Sequence, residues 1–132
     1  MTKEEWVQVE KALQSLYSIV ELKIDGYKVA LRLERLDTYK NAITVYINGE
    51  FKGKWLMEEC EERRRFLRKR EKSLITQKQK KDLNKLSKKF RKEHEEWFNR
   101  SYVYYEPWWT SFNSLRKHLI KENESIELVK II

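Results

Sequence analysis

The sequence predicts an α+β fold: an antiparallel sheet of about four to five strands packed against amphipathic helices, one compact domain over residues 1–132. Three observations carry this expectation. Two dipeptides of the tight-hairpin type, Asp25-Gly26 and Asn48-Gly49, sit inside stretches of alternating apolar and polar residues. Capping-box patterns at Thr2–Glu5 and Thr76–Gln79 open stretches whose apolar residues recur every three or four positions. Finally, 40% hydrophobic content with 17 aromatics argues for a packed core despite 38% charged residues.

The first helix starts after Thr2, carries Trp6, Val9, Leu13 and Leu16 on one face, and is expected to reach about Tyr17. From Val20 the period becomes two, with Val20, Leu22 and Ile24 leading into Asp25-Gly26 and the partner strand continuing through Tyr27, Val29, Leu31 and Leu33. Ala42 to Ile47 reads as a third strand, Asn48-Gly49 as its turn, and Glu50 to Gly53 as a short fourth strand. Helical spacing then predicts a helix from Trp55 to about Lys72, with Leu56, Cys60 and Leu67 inward and Phe66 beside them. A second long helix is expected from Thr76 to Asn99, with Leu83, Leu86, Phe90 and Trp97 on its apolar side. Ser111 caps a helix carrying Phe112, Leu115 and Leu119, and Ser125 to Ile131 alternates as a final strand.

The functional signal is charge. Of the thirty residues from Arg63 to Lys92, fifteen are basic and only Glu71 and Asp82 are acidic, a net plus 13 in a chain of net plus 8. Such a block generates a local field that points to a polyanion. On the long helix expected after Thr76, Lys78, Lys81, Lys85, Lys88 and Lys92 would form one stripe of about 21 Å, long enough to touch several phosphates. The bland alternative is a solvated helix, because Glu59–Arg63 and Glu61–Arg65 are i,i+4 pairs. These pairs occupy only the first arginines. Arg68, Lys69, Arg70, Lys72, Lys78, Lys81, Lys85, Lys88, Lys89 and Lys92 are therefore the candidate nucleic-acid contacts. Lysine grips phosphate without reading sequence, so general affinity for DNA or RNA is expected over base recognition.

Aromatics crowd the segment that follows, with Trp97, Phe98, Tyr102, Tyr104, Tyr105, Trp108, Trp109 and Phe112 within sixteen residues. Packing is their default role, and Trp108 and Trp109 after Pro107 are the candidate exposed pair, able to stack on bases or anchor a partner. His94 falls on the apolar side of its helix as a partly buried residue, His118 reads as a surface residue, and Cys60 as a small hydrophobe. No set of ligands or nucleophile with base is complete, so no metal, cofactor or catalytic residue is expected. Glu21 and Lys23 share a strand face as a nuclease pair would, but no companion acid is identifiable.

The runs Asn48-Gly49-Glu50-Phe51-Lys52-Gly53-Lys54-Trp55-Leu56, Cys60-Glu61-Glu62-Arg63-Arg64-Arg65 and Tyr104-Tyr105-Glu106-Pro107-Trp108-Trp109-Thr110-Ser111-Phe112 resemble uncharacterised small proteins of phages, prophages and other mobile elements of Gram-positive bacteria. The resemblance implies a bacterial cytoplasm and a phage–host or mobile-element setting, and transfers no site. A lone cysteine and the lack of a signal-peptide core or a membrane-length apolar run fit that compartment and argue against a membrane partner. The sequence thus predicts a non-enzymatic nucleic-acid-binding accessory protein that contacts phosphates through a basic helical surface. The alternative is a phage-type interaction module that inhibits or redirects a host protein or ribonucleoprotein such as a CRISPR effector.

Overall fold

The computed structural model describes residues 1–132, apart from the side chain of Phe98, so the expectation for that aromatic lies outside the described residues. The chain is α+β, with a five-stranded antiparallel sheet, a two-stranded sheet and seven helices among the described residues. It divides into two compact units: unit 1, formed by Met1–Arg68 and Tyr105–Ile132, and unit 2, Lys69–Tyr104, inserted between them in the sequence.

Unit 1 begins with α1 (Lys3–Ala12), started by the Thr2–Glu5 capping box. The helix ends at Leu13, earlier than expected, so Leu16 falls outside it and is exposed while Trp6, Val9 and Leu13 are buried. Strands β1 (Ile19–Ile24) and β2 (Tyr27–Arg35) are joined at Asp25-Gly26, both at positive φ. This is the left-handed geometry of a turn that matches strand twist, and glycine and aspartate tolerate it. β3 (Asn41–Ile47) pairs with β2 and ends in the same way at Asn48-Gly49.

The expected fourth strand at Glu50–Gly53 reduces to one bridge between Glu50 and Ile47. Its place beside β3 is taken by a later strand, giving the sheet order β6-β3-β2-β1-β7, where β6 is Trp108–Trp109 and β7 is Ile126–Ile131. Val20 faces Leu31, which faces Val45, and Ile43 faces Trp109, so one sheet face is continuously apolar. That face packs with α1 and with α7 (Phe112–Glu122), which Ser111 caps as expected. On the other face Glu34 accepts hydrogen bonds from Thr44 Oγ1 (3.1 Å) and Tyr46 OH (2.6 Å).

The helix expected from Trp55 to Lys72 does not form. Instead α2 (Lys54–Met57) stops, Glu58 and Cys60 are extended, and α3 (Glu61–Phe66) starts anew. A continuous helix would place Glu58 and Glu62 as a like-charged i,i+4 pair, whereas the break leaves Glu61 and Glu62 in a first turn that favours acids. Cys60 thereby becomes the residue before α3 rather than part of an inner helix face. Leu67 is extended, and the chain continues as strand β4 (Arg68–Ser73).

Two arginines of α3, Arg63 and Arg65, belong to the fold, while the Arg64 side chain is exposed. Arg65 donates to Asp25 Oδ2 (2.7 Å) and Asn123 Oδ1 (3.0 Å), and its Nε lies 3.9 Å from Glu61. Asp25 also accepts from the backbone amides of Glu124 (2.9 Å) and Ser125 (2.8 Å), and these bonds, with Arg65, hold its carboxyl below the usual range. The Arg63 guanidinium lies over the Tyr105 ring at 3.5 Å. His118 is half-buried rather than a surface residue: its Nε2 donates to the Arg64 carbonyl (3.0 Å) and its ring lies 5.0 Å from Trp109. Burial lowers its pKa below the ordinary histidine value.

Candidate nucleic-acid interface

Unit 2 holds most of the candidate contacts. Its 36 residues carry twelve basic and five acidic side chains, net plus 7, whereas the rest of the chain is net plus 1. The two-stranded sheet consists of β4 and β5 (Ser101–Glu106). Within it the Leu74 amide donates to the Arg100 carbonyl (3.0 Å) and Ser101 Oγ donates to Glu71. Arg68, Lys69, Arg70 and Lys72 therefore lie on a strand, and the basic region expected to be helical from 63 to 92 is helical only in parts. Strand alternation puts Arg70 and Lys72 on one face and Lys69 with Glu71 on the other. Arg68 is engaged within unit 1, 3.3 Å from Thr110 Oγ1 and 3.9 Å from Glu106.

The long helix expected from Thr76 to Asn99 is three short ones. The Thr76 capping box opens α4 (Gln77–Asn84), with the Thr76 hydroxyl accepting from Gln79 N (3.2 Å) and Gln79 Oε1 from Thr76 N (2.9 Å). Ser87 is extended, and its hydroxyl accepts from Phe90 N (3.2 Å), starting α5 (Lys88–Glu93). Serine offers the backbone this alternative to a continued helix. His94 separates α5 from α6 (Glu95–Phe98), stacks on Phe90 at 4.3 Å, and is exposed rather than partly buried.

The break at Ser87 divides the expected lysine stripe. Lys78, Lys81 and Lys85 share one side of α4, while Lys88 and Lys92 lie on α5 with Lys89 beside them. Lys69, Lys72, Lys78, Lys81, Lys85, Lys88, Lys89 and Lys92 are all exposed. Among the described residues, no carboxylate lies within 4 Å of the lysines of α4 or α5.

Between these helices is an open groove of about 680 Å³. Lys80, Leu83 and Asn84 line it from the side of α4 opposite the Lys78 stripe, and Lys88, Arg91 and Lys92 line it from α5. Glu95 and Asn99 complete it. Arg91 Nη1 donates to Asn84 Oδ1 at 3.4 Å, and Arg91 Nε is buried without a hydrogen-bond acceptor. Lys80, Arg91, Asn84, Glu95 and Asn99 were not singled out by the sequence because the groove exists only once α4 and α5 are separate. The signal that could have found them is Ser87, three residues before Phe90 in the middle of an otherwise helical stretch.

The aromatic segment splits. Trp109 is buried, with Nε1 donating to the Phe66 carbonyl (3.1 Å), and Trp108 is half-buried in β6, so they are not the expected exposed pair. Among the described aromatics of this segment, Trp97 and Tyr102 are exposed, at 51% and 44% of their surface. Glu21 of the supposed nuclease pair lies 3.9 Å from Lys130, and no group of three potential metal ligands occurs among the described residues. No helix among the described residues is long and apolar enough to cross a membrane. Comparison with known proteins returned no matching family model, curated protein or solved structure.

Proposed function

We propose that the protein is a non-enzymatic nucleic-acid-binding accessory protein of a bacterial phage or mobile element, and that unit 2 grips backbone phosphates. The carrying observation is the segregation of charge: 36 residues hold plus 7 of the chain's plus 8, and among the described residues the exposed lysines of α4 and α5 have no carboxylate within 4 Å. A stabilising salt-bridge network would place carboxylates beside them. The groups instead suit polyanion neutralisation with counter-ion release.

Replacing Lys81, Lys85 and Lys88 together by Glu takes unit 2 from net plus 7 to plus 1. Fluorescence anisotropy at low salt is expected to show binding of a labelled nucleic acid by the parent chain and its loss in this variant at an unchanged circular-dichroism spectrum. Equal binding by both proteins, or none by the parent, sinks the reading.

A second reading, docking to a host protein or ribonucleoprotein, draws on the exposed apolar side chains of unit 2: Leu74, Leu86, Phe90, Trp97, Tyr102 and Val103. A host partner captured equally well with and without nuclease treatment favours this reading, and capture abolished by nuclease favours direct nucleic-acid binding.

A further inference from the structure

We infer that the groove between α4, α5 and α6 seats one unpaired nucleotide of a single-stranded nucleic acid, its phosphate on Arg91 and its base edge toward Glu95. This deepens the nucleic-acid reading of unit 2 and rests on it. The groove's volume of about 680 Å³ lies within the range of sites that enclose small ligands. The groove is open to solvent along one side, so a strand can lie across it with one nucleotide turned inward.

The lining is chemically mixed in a way that a wall of phosphates does not explain. Lys80, Lys88, Arg91 and Lys92 supply four positive charges. Among the described residues Arg91 has one hydrogen bond, a long one to Asn84, and keeps an Nε–H without an acceptor. Turned into the groove, its guanidinium fork would offer a phosphate a charge-assisted bond.

Glu95 lines the same groove. A carboxylate facing only phosphates is repelled by them, whereas it accepts a hydrogen bond from the Watson–Crick donors of a base. Those donors are available only when the base is unpaired, and Asn99 beside it offers both a donor and an acceptor. Leu83 gives apolar contact. By helical period Phe90 and Trp97 fall on faces of α5 and α6 turned away from the groove, so its discrimination comes from polar readout rather than aromatic stacking.

The test is fluorescence anisotropy with labelled oligo-dT, oligo-rU and a duplex of equal length, in the same salt. Either single strand is expected to bind roughly tenfold or more tightly than the duplex. Arg91→Ala is expected to remove most of that advantage, and Arg91→Lys, which keeps the charge but not the fork, to restore it only in part. Lys81→Ala, outside the groove, is expected to weaken single strand and duplex alike. Variants are compared only where their circular-dichroism spectra match the parent. Equal affinity for single strand and duplex, with Arg91→Ala no worse than Lys81→Ala, overturns the groove as a nucleotide seat and leaves the general nucleic-acid reading standing. Failure of all three probes to bind at low salt overturns both.

Discussion

Replacing Trp109 by Phe separates a core role from a binding role for the aromatic after Pro107. Trp109 is 5% exposed, and its indole N–H is bonded to the Phe66 carbonyl at 3.1 Å. Phenylalanine keeps an aromatic ring but takes this donor from the carbonyl of the buried Phe66, a cost of about 1–3 kcal/mol. The smaller ring forfeits roughly another 1 kcal/mol of apolar burial. The summed loss of about 2–4 kcal/mol, with an m-value near 1.5 kcal/mol/M, lowers the urea midpoint by about 1–3 M. Tryptophan fluorescence and far-ultraviolet circular dichroism, followed through the same titration, measure it. Nucleic-acid affinity of the folded variant is expected to equal the parent's. An unchanged midpoint together with weakened binding would refute the assignment and return Trp109 to the surface as a partner anchor.

The remaining predictions follow from named contacts. Burial depresses the His118 pKa, so folding favours the neutral ring; the stability this group contributes is full above its unfolded pKa near 6.5 and is lost as pH falls through the lower folded value. Urea midpoints measured downward from pH 7 should therefore decline in the parent and decline less in His118→Gln. Asp25 behaves similarly at more acid pH: its carboxyl is held low by the Glu124 and Ser125 amides and Arg65, so that stability persists above about pH 4 and is lost below it, and Asp25→Asn should flatten that limb. Salt dependence reports how the nucleic acid is held. The four groove cations together with Lys81 on a single strand, at about 0.7 per phosphate, give a log–log slope near −3.5, against about −4.5 for five lysines on a duplex. A single-strand slope as steep as the duplex value argues against the groove.

The β1–β2–β3 sheet was legible because its turns are chemical: Asp25-Gly26 and Asn48-Gly49 occupy positive φ, and alternation on either side fixes which face is buried. Helices α1 and α7 were legible for the same kind of local reason, a side-chain cap followed by an apolar stripe. The stretch from Trp55 to Ser73 was not. Its few apolar residues fit helical spacing, but the spacing carries no information about the extended residues Glu58, Cys60 and Leu67 that cut it into α2, α3 and β4. Trp109 was misplaced because its burial depends on pairing with Ile43, more than sixty positions earlier in the chain. In the candidate site the lysines were read correctly as exposed, whereas the stripe was not continuous: Leu83, Leu86 and Phe90 keep a helical rhythm across a cap that only Ser87 reveals.

Unit 2 joins its charge to an unusual lack of core. Among the described side chains of Lys69–Tyr104, Ile75 alone is buried, while six large apolar side chains are exposed. A segment of this size cannot repay its ordering entropy from one buried residue, and a net plus 7 adds self-repulsion. A polyanion acts on both terms at once: it removes the repulsion between Lys78, Lys81 and Lys85 and binds only the ordered arrangement, so binding and ordering are linked. Limited proteolysis makes the linkage visible. Trypsin should cut first between Lys78 and Lys92, faster than anywhere in the sheet, and oligo-dT should slow those cuts without changing cleavage in an unfolded control. Protection that appears equally in the Lys81, Lys85 and Lys88 triple-Glu variant would show that the nucleic acid inhibits the protease rather than orders the segment.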